Sequence, residues 1–141
     1  MFLDEFWIEA AKLFTFFLLS NIPMPSFVDI DLDPRIIRAA GKLGFASMTP
    51  VQEQVIPLAL QGRHILAKAR TGSGKTAAYC MPIIQKILSK ETTGIEALVL
   101  VPTRELAEQV HRHIEDLTIY CAEKVKTVNI AVGDTNLASQ M

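Results

Sequence analysis

Residues 69 to 76 read Ala-Arg-Thr-Gly-Ser-Gly-Lys-Thr, and no other stretch narrows the possible folds as far. Gly72, Ser73 and Gly74 let the backbone after Thr71 turn tightly, so that several N–H groups face one anion. Lys75 adds a cation that reaches the outer phosphates of a nucleotide, and Thr76 offers a hydroxyl to Mg²⁺. The flanks fit this use. His64 to Ala69 is short and apolar, as a strand would be, and Thr76-Ala-Ala-Tyr-Cys-Met runs on helically to Leu88. A glycine loop between a strand and a helix N-terminus brings the helix dipole onto a phosphate. An ordinary Gly-Ser-Gly turn would explain the glycines but not this context. The first glycine of the general phosphate-loop pattern is Ala69 here.

The rest of the chain supplies alternating elements. Asp33-Pro34 opens a helix with Ile36, Ile37, Ala40 and Leu43 on its apolar face, and Gly44 ends it. Thr49-Pro50-Val51-Gln52 starts a second helix that stops at Gly62, with a kink expected at Pro57. A long helix follows the glycine loop from Lys75 to about Ser89, with a bend expected at Pro82. Ala97 to Val101 is a continuous apolar run, suited to a strand buried on both faces. Pro102 closes it, and Thr103 caps a helix from Arg104 to about Tyr120. Residues 125 to 132 alternate as a third strand, ending at Gly133-Asp134. Strand, helix, strand, helix, strand predicts an α/β fold: a parallel sheet with helices on both faces.

Half of the 141 residues are apolar, which is enough for one domain with a real core. The net charge of −1 gives no bulk attraction for nucleic acid, so any such binding must come from a local site. Cys80 and Cys121 have no metal-ligand spacing, and a reducing intracellular compartment is expected. Phe6 to Ile22 is rich in Phe, Leu and Ile, but its uncharged centre, Leu13 to Leu19, is too short to span a membrane. Asp4 and Glu5 precede it where a secretory signal carries basic residues. Residues 1–26 read as a helical apolar extension with a proline linker at Pro23 and Pro25, and no membrane partner is expected. A packing helix, a targeting segment and residues upstream of a true start all fit.

Three clusters together resemble the DEAD-box RNA helicases. Phe27, 17 positions before Gly44, and the run Gly44-Phe45-Ala46-Ser47-Met48-Thr49-Pro50-Val51-Gln52 resemble that family's Q motif. Ala69 to Thr76 resembles its phosphate-binding motif, which normally begins with Ala. Pro102-Thr103-Arg104-Glu105-Leu106-Ala107 resembles its motif Ia. The resemblance covers residues 27–141 and implies the N-terminal portion of a RecA-like P-loop domain that binds ATP with Mg²⁺ and RNA as partner.

The resemblance also assigns roles. Gln52 would read adenine, because a carboxamide donates and accepts along the N6/N7 edge. Phe27 would stack on the base, and Thr71, Gly72, Ser73, Gly74, Lys75 and Thr76 would hold phosphates, Thr76 also facing the metal. Pro102, Thr103, Arg104 and Gly133 would hold the RNA backbone, although the family's usual Gly-Gly pair is Gly133-Asp134 here. Each residue also has a plainer use. Gln52 completes a capping box with Thr49, and the two roles are compatible. Phe27 fits a core aromatic, Thr103 a simple cap, and Arg104 a solvated side chain.

Ile56 to Gly62, Ala67 to Tyr79 and Ile119-Tyr-Cys-Ala are further similar to a nucleolar branch that acts in assembly of the large ribosomal subunit. That implies pre-ribosomal RNA and a nuclear or nucleolar location. The sequence stops before the Asp-Glu-Ala-Asp segment that names the family and before a second RecA-like domain. No catalytic residue is therefore assigned. The 141-residue chain is expected to bind nucleotide without hydrolysing it at a useful rate or unwinding RNA. A non-catalytic nucleotide- or RNA-binding form is the alternative reading.

Overall fold

The computed structural model describes residues 26–91 and 94–130. The apolar extension, residues 131 and 132 of the third expected strand, and Gly133-Asp134 lie outside the described residues.

A 3-10 turn, Phe27–Asp29, enters the domain under a capping box in which the Ser26 hydroxyl accepts from Val28 N–H and Asp29 accepts from Ser26 N–H. Four helices follow: α1 (Pro34–Lys42), α2 (Pro50–Leu60), α3 (Lys75–Leu88) and α4 (Arg104–Thr118). Their starts lie where the caps place them. Asp33 accepts from Arg35 N–H ahead of Pro34, and Thr49 accepts from Gln52 N–H ahead of Pro50. Gly44 adopts φ +81° just past α1, where Phe45 N–H closes back onto the Ala40 carbonyl at 3.0 Å. Gly62 repeats this device after α2, with Arg63 N–H on the Leu58 carbonyl at 3.2 Å. Pro57 and Pro82 both lie inside their helices, and neither ends its helix.

The helices pack on one another. α2 lies along α3, while α1 and α3 pack on α4. Ile36, Ile56, Met81, Ile84, Leu117, Cys80 and Cys121 are fully buried between them. Asp33 N–H donates to Gln85 Oε1 at 2.6 Å, which pins the start of α1 to α3. Arg35 pairs with Asp33 at 2.9 Å, and this guanidinium holds the Asp33 carboxyl below its ordinary range. The Arg38 guanidinium lies 4.2 Å from the Tyr120 ring centroid. Both cysteines are free and buried, and burial pushes the Cys80 thiol up to about 12, which leaves it unreactive.

The expected sheet is where sequence and structure part. None of the described residues forms a strand; residues 63–70, 95–101 and 125–130 run without a ladder. Exposure still alternates along two of them, as in an extended chain. Val99, Val101 and Val125 turn toward the helical core, whereas Leu98, Leu100, Val128 and Ile130 face solvent. Leu66 in the first segment is wholly exposed. The run 97–101 is therefore half-buried, contrary to the expectation of burial on both faces. Among the described residues the helices lie on the inward side of these segments. A strand assignment also needs neighbours at hydrogen-bonding distance, which apolar periodicity cannot supply.

Candidate functional site

The glycine loop stands at the start of α3, as its flanks predict. Gly72 and Gly74 take φ +78° and +88°, left-handed values that residues with a Cβ rarely adopt. Gly74 is the N-cap of α3, and no side chain caps that helix. Its first-turn N–H groups thus lack the side-chain acceptor that Thr49 and Thr103 give their helices. The Lys75 ammonium folds back to donate to the carbonyls of Ala69 and Arg70. Ser73 Oγ is buried with no hydrogen-bond partner. A polar, glycine-turned cradle with an orphaned hydroxyl and a local cation fits an oxyanion. Thr76 stands at the second position of α3, near Tyr79, whose hydroxyl burial holds above its ordinary pKa, with Thr76 opposing.

Gln52 joins α2 to this loop. Its Oε1 accepts from Thr49 N–H at 2.9 Å, while Thr49 Oγ1 accepts from Gln52 N–H at 3.4 Å. The capping box is therefore present. Gln52 Nε2 reaches further and donates to the Gly74 carbonyl at 3.2 Å. The side chain is buried, only 3% exposed. Its amide keeps one N–H and one lone pair uncommitted, which is the complement an adenine edge requires. The packing here is close: a Cβ built on Gly74 would lie 2.5 Å from Gln52 Nε2 and 3.1 Å from Thr49 Oγ1.

Phe27 sits in the core, 3% exposed, with its ring 6.2 Å from Phe45. Phe45 in turn lies 6.1 Å from His113 on α4. Sequence reading left Phe45 and His113 without a role. The Gly-Phe pairing was the available signal for Phe45, while His113 on a mixed helical face carries none. Burial pushes the His113 imidazole below its ordinary pKa, with Asp116 opposing, and its Nε2 is buried without a hydrogen-bond partner. Below about pH 6.5 the unfolded chain takes up a proton here that the folded chain resists. Stability should therefore fall as pH drops from about 6.5 through the lowered folded pKa. His113→Phe should flatten that fall between pH 7.5 and 5. Urea midpoints of parent and variant across this range provide the measurement.

The second candidate surface stands at the N-terminus of α4. Pro102, Thr103 and Arg104 are exposed there, and Thr103 Oγ1 accepts from Leu106 N–H at 3.2 Å. The cap reading of Thr103 is thus realised, with Arg104 opening the helix. Gly133 lies outside the described residues. Among the described residues no group of three metal-ligating side chains occurs, and no helix is long and apolar enough to cross a membrane.

A phosphate loop on a helix N-terminus, with a glutamine from the preceding helix bonded to it, defines a nucleotide-binding P-loop domain. The chain belongs to the DEAD/DEAH box helicases, whose family model matches residues 49–141. It is 54% identical over 114 residues to the probable ATP-dependent RNA helicase ddx56 of Dictyostelium discoideum, covering 78% of this chain and 17% of that protein. It is 47% identical over 116 residues to the ATP-dependent RNA helicase dbp9 of Schizosaccharomyces pombe, covering 79% of this chain and 20% of that one. The chain thus spans about a fifth of the length of these curated relatives.

Among solved structures, a DEAD box protein from Methanococcus jannaschii superposes with a TM-score of 0.69 at 40% identity, over 82% of this chain and 31% of that one. The RNA helicase Prp28 from Chaetomium thermophilum bound to ADP gives 0.70 at 35%, over 84% and 29%. The fold is accordingly the α/β fold of these helicase domains.

Proposed function

We propose that this chain is the N-terminal portion of an ATP-dependent RNA helicase, with residues 1–26 as an extension and 27–141 as the first part of the ATP-binding domain. The observation that carries the reading is the bond from Gln52 to Gly74, which ties a base-reading amide to the phosphate loop. In this reading Gly72, Ser73 and Gly74 present backbone N–H groups to the phosphates, with Thr71 at the loop's entry. Lys75 exchanges its two carbonyl acceptors for phosphate oxygens. Gln52 pairs with adenine through its uncommitted N–H and lone pair. Thr76 is the residue that would face Mg²⁺, which supplies charge neutralisation when bound. Phe27 reaches the base only by turning out of its place against Phe45.

RNA engages the N-terminus of α4 through Pro102, Thr103 and Arg104, with Gly133 extending that surface. The named relatives are RNA helicases of the dbp9 and ddx56 type. Their names support RNA as the partner; pre-ribosomal RNA and a nuclear or nucleolar site of action rest on the resemblance of Ile56 to Gly62, Ala67 to Tyr79 and Ile119 to Ala122 to the nucleolar branch.

Calorimetric titration of the chain with ATP and GTP tests the reading. ATP should bind more tightly. Gln52→Ala should erase about 1–3 kcal/mol of that preference, the usual value of a paired base edge, while affecting phosphate affinity less. Equal affinity of the parent chain for ATP and GTP overturns the adenine assignment.

A further inference from the structure

On the reading that Phe27 stacks on adenine, we propose that its ring is stowed in this structure, and that Phe45 and His113 are positioning residues that set how readily it is released to a base. A stacking platform needs an open face, and Phe27 has none. It is 3% exposed and belongs to the buried core. The Phe45 ring stacks beside it, with centroids 6.2 Å apart and planes 29° apart, where a base would otherwise lie. The segment that carries Phe27 is closed on itself. The Ser26–Asp29 capping box completes the turn Phe27–Asp29, and Phe27 is its only buried residue. Val28, next to it, is 67% exposed. Beyond the turn the chain is fastened at Leu32, which is buried, and at Asp33, whose N–H donates to Gln85 Oε1. Within the turn one aromatic ring is therefore the anchor, and the fixed pivot lies further along.

The seat belongs to the stretch that carries the base-reading amide. Phe45 N–H closes onto the Ala40 carbonyl after the left-handed Gly44, which fixes Phe45 at the end of α1. The same stretch runs on through the buried Met48 to Thr49 and Gln52. His113 supplies a bias in the other direction. Its ring lies 6.1 Å from Phe45, and its Nε2 is buried without a hydrogen-bond partner. An orphaned buried nitrogen carries a free-energy cost that a hydrocarbon ring in the same place does not. Opening the row admits water to that nitrogen and removes the cost. The imidazole thus favours release of Phe27, whereas the Phe27–Phe45 stack favours stowing. Affinity for a base is reduced by the fraction of molecules in which Phe27 is free. Phosphates at the glycine loop meet no such penalty.

Calorimetric titration of the full chain with ATP, and with ribose triphosphate, which carries the same phosphates and no base, tests this. Phe45→Leu removes the stack and should tighten ATP binding by roughly two- to tenfold, the worth of one aromatic pair. His113→Phe fills the row without an orphaned nitrogen and should weaken ATP binding severalfold. Ribose triphosphate should bind both variants as it binds the parent, which shows that the glycine loop is intact. A row that merely supports the fold gives the opposite signs, with ATP binding weaker in Phe45→Leu and no weaker in His113→Phe. Phe45→Leu that keeps its ribose triphosphate affinity and binds ATP no more tightly than the parent overturns the proposal. Where Phe45→Leu unfolds and loses both ligands, His113→Phe decides alone, and ATP affinity at or above the parent's overturns the proposal. A parent chain that binds ATP no better than ribose triphosphate has no base site, and overturns both the proposal and the stacking reading beneath it.

Discussion

Lys75→Ala is expected to weaken adenine-nucleotide binding by about ten- to a hundredfold, the range that a lost charge-assisted hydrogen bond implies. The fold should survive the change. Lys75 is the first residue of α3, and its ammonium bonds the loop carbonyls of Ala69 and Arg70. Alanine is at least as good a helix former as lysine, so the helix itself loses nothing. What disappears is the cation within the glycine loop. The backbone cradle remains, with Gly72 and Gly74 in their left-handed conformations, and it should retain weak phosphate affinity. Calorimetry with ATP, paired with thermal melting of both proteins, separates a binding defect from a folding one. An unchanged ATP affinity in the variant would mean that the loop is not the phosphate site.

The second large effect is expected at Gly74. Gly74→Ala should destabilise the chain by about 2–3 kcal/mol, which for a domain of this size is roughly 10–20 °C in melting temperature. Two causes add. The left-handed φ of +88° disfavours any residue with a Cβ, by about 1–2 kcal/mol. The new methyl group also meets Gln52 Nε2 at 2.5 Å, so the buried amide must move and the capping box must open. A lost cap is worth about 1 kcal/mol. The causes separate in a double-mutant cycle. Gln52→Ala removes the obstacle, so Gly74→Ala should be milder on that background than on the parent. Strict additivity would show that the backbone conformation alone sets the penalty.

Helix boundaries were legible in the sequence because they are local chemistry. Asp33-Pro34, Thr49-Pro50 and Thr103 each carry an N-cap signal, and Gly44 and Gly62 carry the closing one. All lie within a few residues of the structure they dictate. The sheet was not legible in the same sense. Val99 and Leu98 are alike in sequence, yet one packs on the core and the other is 77% exposed. Which side of an extended segment is covered depends on elements far away in the chain. The site shows the same division. The glycine loop and the Thr49–Gln52 box follow from spacing alone, whereas the bond from Gln52 to Gly74 spans 22 positions and needs α2 laid along α3. The row Phe27–Phe45–His113 draws on three separate segments, and nothing local in any one announces it.

The contact between Gln52 and Gly74 also brings two helix beginnings close together. Each helix start carries roughly half a positive charge. α2 partly offsets its own with Glu53 in the first turn, but α3 has no acidic residue there and adds Lys75 instead. The corner thus concentrates like charge that the chain does not itself neutralise in the first turn of α3. Folding brings these positive ends together against their mutual repulsion, and an arriving polyanion removes that repulsion. The same residues that make this corner attractive to a triphosphate therefore make the ligand-free fold less stable than its packing alone would allow.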